Sequence, residues 1–363
     1  MIDSFTLQRT VLRALSPRGR RARLLIFTFH RVLSEPDPLF PDEPDARLFA
    51  TMLDWIGSLC RVLPLPEAVR GLMRGVLPDR AACITFDDGY ANNFEVALPL
   101  LEQRGMPATI FIAVDAVRRG IMWNDLIIEA VRRAPEELER ALAYERGRVD
   151  RGDCTAASYV QNGRCAADAR LGHVGGDGSG EGGHAYGGHA ASLSRVLEHF
   201  KYLTLEARWQ HASELFARVA GTAPPRLMMT PETVSKLPRH GIDVGAHTVN
   251  HPILKGLPAE RARAEIAESH AWVADVAGIP PTSFAYPNGR PNRDYDASHV
   301  AMVRDAGFDL AVTTHWGGAS RNASPYELPR IAPWDRTPNR FSLRLIHTLA
   351  SSYRSDAGQH AES

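Results

Sequence analysis

The sequence predicts an α/β fold of parallel βα units, and three observations carry that prediction. Short apolar, β-branched or aromatic runs recur at 24–30, 82–87, 109–114, 242–247, 283–286 and 310–314. Segments of helical periodicity lie between them at 48–60, 92–104, 258–277 and 296–306. Strands that alternate with such helices form crossover units, not a sandwich. The helix at 258–277 also has the usual punctuation, with Pro258 in its first turn and Gly278 just past its end.

Taken in order, the chain opens on a basic arm at 1–23. Phe5, Leu7, Val11, Leu12 and Leu15 form the apolar stripe of a short helix, edged by Arg9, Arg13, Arg18, Arg20, Arg21 and Arg23. Two readings fit: a helix packed on the domain with a solvated edge, or contact with an anionic inner membrane surface. The first strand then runs to His30. The run at 82–87 contains Cys83, read as a buried thiol, and ends in Asp87-Asp88-Gly89. The rhythm breaks between about 123 and 225. Helical stretches are expected there at 125–133, 136–146, 193–200 and 205–219, around a tract at 172–188 of Gly, His, Asp and Ser. That tract has too little apolar content to offset its ordering entropy and is expected to be a disordered loop within an insertion. His173, His184 and His189 are read as linker residues, with adventitious metal binding as the alternative. The later strands end at His247, Tyr286 and Thr314, and 351–363 reads as a polar tail.

Bulk properties exclude some functions. The 363 residues carry 42 Lys+Arg and 42 Asp+Glu, so no global charge attracts nucleic acid or a polyanion. Cys60, Cys83, Cys154 and Cys165 lack C-x-x-C spacing, which argues against a zinc knuckle or a disulfide framework. No apolar run is long enough to span a bilayer and no secretory signal is evident, so the expected location is cytoplasmic.

The chemistry concentrates in two segments. Ile84-Thr85-Phe86-Asp87-Asp88-Gly89-Tyr90 puts adjacent carboxylates at a strand tip. Neighbours on a strand point to opposite faces, so the two can take different jobs, and like charges this close call for a compensating cation or proton. Gly245-Ala246-His247-Thr248-Val249-Asn250-His251 follows another strand. Its histidines are four apart, and on a helical turn that spacing lets both grip one ion. Two imidazoles and a carboxylate suit a hydrolytic metal centre with an open position.

These motifs resemble those of the polysaccharide deacetylase (NodB-homology) family, carbohydrate esterase family 4, in style nearest the branch with poly-N-acetylglucosamine deacetylases. T-F-D-D-G and H-[ST]-x-x-H are both present, in the family's order. The resemblance implies a distorted (β/α) barrel over 24–340 with a central insertion, followed by a C-terminal helix and tail at 341–363. It implies removal of N-acetyl groups from N-acetylhexosamines, with a divalent metal (Zn2+, or Co2+ or Ni2+) held by Asp88, His247 and His251. Asp87 would be the general base. Phe284-Ala285-Tyr286-Pro287-Asn288-Gly289 corresponds to the family's F-R-P-P-Y-G, with the Asn288 N–H as oxyanion donor. Ala285 replaces the arginine that orients the catalytic aspartate, and Arg330 is the candidate substitute. For the general acid, His30 at a strand tip is favoured over His347. Tyr90, Trp123, Trp334 and Tyr286 are candidates to line a sugar groove, with Trp316 a further aromatic of that kind.

The expected partner is an N-acetylated glycan or lipid-linked sugar in envelope or exopolysaccharide synthesis. Two other classes compete: a hydrolase of another non-peptide C–N bond (a deformylase or cyclic amidase), and a non-catalytic carbohydrate-binding protein. Four retained polar groups, Asp87, Asp88, His247 and His251, argue against the last.

Overall fold

The structure, a computed structural model, describes residues 5–134, 193, 196–220 and 222–359. The expected helix at 136–146, the Gly/His tract at 172–188 with His173, His184 and His189, and Cys154 and Cys165 lie outside the described residues, as do parts of the 193–200 segment and of the tail. The chain divides into two units, Met1–Gly120 with Arg226–Ser363, and Ile121–Pro225.

In the first unit, eight strands form one parallel sheet: β1 Leu25–Phe29, β2 Arg61–Val62, β3 Ala81–Phe86, β4 Thr109–Ile112, β5 Asp243–Ala246, β6 Ser283–Ala285, β7 Leu310–Trp316 and β8 Leu328–Arg330. The order is β1-β3-β4-β5-β6-β7-β8, with β2 also paired to β3. Beyond β8 the sheet curls back onto β1. Thr28 N–H donates to Ile331 O at 2.9 Å, and Ile331 N–H donates to Ile26 O at 2.8 Å. The barrel is nearly closed and distorted: β5 and β6 share the single register pair Ala246↔Phe284, and β7 slips against β8 between Val312 and Trp316. The predicted distorted (β/α) barrel is the observed fold.

Strand alternation divides the apolar side chains into two sets. Phe27, Phe29, Ile84, Phe86, Ile110, Ile112 and Phe284 pack with the surrounding helices, against Phe49, Leu53, Ile266 and Phe341 among others. Ile26, Cys83, Phe111, Ala285, Val312 and Leu328 form the other, together with Leu65, Ala68, Val69 and Leu72 of the helix Leu65–Arg74. Every residue of β1, β3 and β4 is buried, as expected where helices cover a parallel sheet. Strand parity therefore sets the site. His30, Thr85, Asp87, His247 and Arg330 continue the alternation of Ile26, Cys83, Gly245 and Leu328, and so project on the lumen side of the strand ends.

The helix expected at 92–104 is present, with a π turn over Asn93–Ala97 that runs straight into the short α-helix Leu98–Glu102. Leu98 N–H donates five residues back to Asn93 O, and Pro99 has no N–H to donate one turn back, so the regular α ladder is interrupted there. One helical expectation needs correction. In the N-terminal helix Thr6–Leu15 the apolar stripe is split: Phe5 and Leu12 are buried, whereas Leu7 is 74% exposed. Arg23, assigned to the solvated edge, is buried. Among the described residues, no helix is long and apolar enough to cross a membrane.

In the second unit, the helices Trp123–Arg133 and Leu205–Ala220 pack together, the first burying Leu126 and Ile127 and the second Ala212 and Phe216. Glu129 pairs with Arg132 and Arg133 on the first of these helices.

Candidate active site

Asp87 leaves β3 with its N–H donating to Phe29 O at 2.9 Å, and its carboxylate meets Arg330. The guanidinium donates from two nitrogens, 2.7 Å to Oδ1 and 2.7 Å to Oδ2, in a bidentate pair. Arg330 is itself fixed, because its Nε–H donates to Thr313 O at 2.9 Å. Its side chain is fully enclosed. Burial alone would raise the Asp87 pKa, but Arg330, with His247 and His30, holds the carboxyl below the usual carboxylate range. The departure from the family motif at Ala285 thus has a geometric counterpart: an arginine reaches Asp87 from β8 instead of β6.

Asp88 has the opposite surroundings. Its φ of +73° turns the chain in the left-handed region, away from the outward position that alternation assigns to the next strand residue. Its Oδ1 lies 3.6 Å from His247 Nε2 and 3.5 Å from His251 Nε2. Buried and accepting no hydrogen bond, that oxygen is an orphan of a kind folded proteins seldom keep. Burial pushes the Asp88 carboxyl up, with the Asp87 charge adding to the effect and His30 and His247 opposing it.

The histidine loop is aimed from behind. His247 Nδ1 lies 2.7 Å from Ala285 O, so it carries the proton and Nε2 presents a lone pair toward Asp88. The segment is not the helical turn that the four-residue spacing suggested. Thr248 at φ +64° and His251 at φ +51° are both left-handed, each at a cost on the order of 1–3 kcal/mol. Thr248 Oγ donates to His247 O and accepts the His251 N–H at 3.1 Å. Glu265, buried on the helix Ala259–Ala277, accepts the Val249 N–H at 3.0 Å and the Asn250 N–H at 2.8 Å on one oxygen. Its other oxygen accepts from Asn250 Nδ2 at 2.6 Å. Sequence reading passed over Glu265. The available signal was a carboxylate beside Ala262, Ile266 and Ser269 on the buried face of the helix.

One donor atom from each of Asp88, His247 and His251 lies within 4.8 Å of the others, as ligands of one ion must. Ligands of a tetrahedral zinc at roughly 2 Å stand about 3.3 Å apart, close to the two Asp88–histidine separations. The orphaned Asp88 oxygen and the oriented His247 lone pair fit a divalent cation.

The remaining candidates are placed as follows. His30, half-exposed, has Nε2 4.0 Å from Asp87 Oδ2, and its carbonyl accepts from Asn93 Nδ2 at 2.9 Å. Partial desolvation disfavours its charged form, but Asp88, Asp87 and Glu43 together raise its pKa. Asn288, at φ +60°, sits in a turn docked on β7, where Thr314 N–H donates to Gly289 O at 3.0 Å. A side chain at Gly289 would meet Thr314 N at 2.8 Å, so the close approach requires glycine. His347 is stacked on Trp316 with ring centroids 5.4 Å apart.

The expected sugar-facing aromatics scatter. Tyr286 is fully buried and stacked on Tyr295 at 3.9 Å. Tyr90 is buried, with the Arg31 guanidinium 4.5 Å from its ring centroid. Neither presents a free ring face. Trp334 is 51% exposed, with Arg344 over its ring at 4.5 Å. Trp123 belongs to the second unit, stacked on Phe200 with Arg208 over it.

Comparison with known proteins follows the same lines. A family model described as polysaccharide deacetylase matches residues 74–144 and 181–311. YxkH of Bacillus subtilis (strain 168) is 30% identical over 103 residues, 28% of this chain. The chain thus spans only 36% of the length of that relative. Two solved structures share the fold. The deacetylase PplD of Streptococcus pyogenes, in complex with acetate, superposes with a TM-score of 0.54 at 16% identity, over 90% of this chain and 98% of that one. IcaB from Ammonifex degensii gives 0.52 at 17%, over 92% and 98%. At these identities the likeness is one of fold alone.

Proposed function

The chain belongs to the polysaccharide deacetylase family, whose members hydrolyse non-peptide C–N bonds, and from that premise we propose that it removes the N-acetyl group of an N-acetylated sugar with a divalent metal held by Asp88, His247 and His251. The observation that carries this reading is the divided fate of the two aspartates. Asp87 is locked to Arg330, while the buried Asp88 oxygen accepts no hydrogen bond and faces two imidazoles.

A divalent ion held by Asp88, His247 and His251 would supply Lewis acidity there, polarising an amide carbonyl and lowering the pKa of water toward neutrality. Asp87 then takes the proton from the attacking water as the new C–O bond forms. Arg330 keeps it ionised and aimed, leaving lone pairs beyond the two it engages. The Asn288 N–H donates to the oxyanion as the carbonyl carbon becomes tetrahedral. His30, across from Asp87, protonates the amine nitrogen as the C–N bond breaks, since an unprotonated amine leaves poorly. Acetate and a free amino sugar result.

In this proposal zinc is the native ion, with cobalt and nickel as substitutes, and the substrate is an N-acetylated glycan or lipid-linked sugar of envelope or exopolysaccharide synthesis. The proposed location is cytoplasmic, with the N-terminal helix either packed on the barrel through Phe5 and Leu12 or touching an anionic inner membrane surface through the exposed Leu7. Trp334, 51% exposed, is the candidate aromatic whose accessibility supports stacking on a pyranose. We further assign 24–340 to the deacetylase barrel, with 123–225 as its insertion, 1–23 as the basic arm and 341–363 as the C-terminal helix and tail.

The test is acetate release from short N-acetylglucosamine oligomers by metal-stripped protein reloaded with zinc, cobalt or nickel. The proposal expects metal-dependent release that Asp88→Ala abolishes. Stoichiometric metal without acetate would move the reading to another non-peptide C–N bond.

A further inference from the structure

We infer that Glu265 is the positioning residue of the metal site: its carboxylate sets the loop between His247 and His251 in the geometry that lets both imidazoles reach Asp88. The inference rests on the metal reading of Asp88, His247 and His251 and extends it to a residue that touches none of them. Loop carbonyls are tied on one side, where Val114 N–H donates to Thr248 O at 3.2 Å and Asp115 N–H donates to Val249 O at 2.8 Å. The N–H groups of Val249 and Asn250 point the other way, into Glu265. Glu265 is 4% exposed, so no solvent replaces it. Without an acceptor there, two backbone donors lose their partner, and the cheapest relief is for the loop to leave its left-handed conformation at Thr248 and His251. His251 would then swing away from Asp88. His247, anchored through Ala285, would stay.

The chemistry of the pocket predicts which replacement works. One Glu265 oxygen takes both backbone N–H groups and the other takes the Asn250 amide. Glu265→Gln keeps the first acceptor, and a rotated Asn250 amide satisfies its new NH2 group. Glu265→Leu removes both acceptors at similar volume.

The experiment is a cobalt titration of metal-stripped protein, followed by the visible d–d absorption of the bound ion, which reports affinity and coordination geometry together. Groups behind metal ligands typically change affinity by about 10- to 100-fold, and a loss in that range with an altered band shape is expected for Glu265→Leu. Glu265→Gln should restore both to near wild type. A folded Glu265→Leu protein with wild-type cobalt affinity and spectrum would overturn the inference, even if its Tm had fallen. If Glu265→Leu does not fold, Asn250→Ala decides. It removes one of the three bonds, so a loss of roughly 2- to 10-fold is expected, and an unchanged affinity overturns the inference. Failure of the wild type to bind cobalt would overturn the metal reading itself, and this inference with it.

Discussion

At the residue scale, Asp87 and Arg330 form a fully enclosed bidentate pair. Removing one member of such a pair strands a charge in a medium that cannot solvate it, at a cost of about 3–5 kcal/mol. Arg330→Leu should therefore lower stability by that amount in denaturant titration. A loss under 1 kcal/mol would mean that His30 and His247 compensate Asp87 without it. Gly289 is a second sensitive point. Its φ of +64° and the 2.8 Å approach of a built side chain to Thr314 N leave no room for a methyl group. Gly289→Ala should destabilise by about 1–3 kcal/mol, read as a drop in Tm, and an unchanged Tm would show that the turn can shift. Among the described residues, four of the six non-glycine residues with positive φ, Asp88, Thr248, His251 and Asn288, belong to the candidate site. Strain of this kind is tolerated where the surroundings over-determine it.

At the element scale, the site was legible where chemistry coincides with a strand end and illegible where it depends on local backbone. The runs ending at Asp87 and His247 were read to within one or two residues of β3 and β5. A strand buried on both faces reads as a continuous apolar run, which makes it conspicuous in the sequence. β2 was not read, since a strand of two residues carries no periodicity, and β8 was legible only as the strand expected to carry Arg330, with Pro329 within it arguing against a regular one. Even so, β8 delivers Arg330 to Asp87. The histidine spacing was read as a helical turn because a β-branched residue such as Thr248 is rarely left-handed, and no sequence signal marks the exception. The helix Ala46–Leu59 begins earlier than its apolar pattern because Asp45 caps it, accepting the Leu48 N–H at 2.7 Å. Asp45→Ala should cost about 1 kcal/mol, measured by denaturant midpoint, and a neutral result would remove the cap from the account of that boundary.

At the scale of the whole molecule, the closure of β8 onto β1 brings His30, Asp87 and Arg330 to one mouth from strands far apart in sequence. Folding and metal binding should be coupled, because the three proposed ligands converge only in the folded chain. An ion at 100 times its dissociation constant should stabilise the wild type by about 2.7 kcal/mol. Asp88→Ala should lose that increment, as followed by Tm with and without added zinc. The central claim is that two adjacent carboxylates do different work, Asp88 as ligand and Asp87 as base. The most direct test measures metal content and acetate release together for Asp87→Asn. Full metal occupancy with acetate release lost is the predicted result. Loss of the metal along with turnover, or turnover that survives, would contradict the division of labour between Asp87 and Asp88.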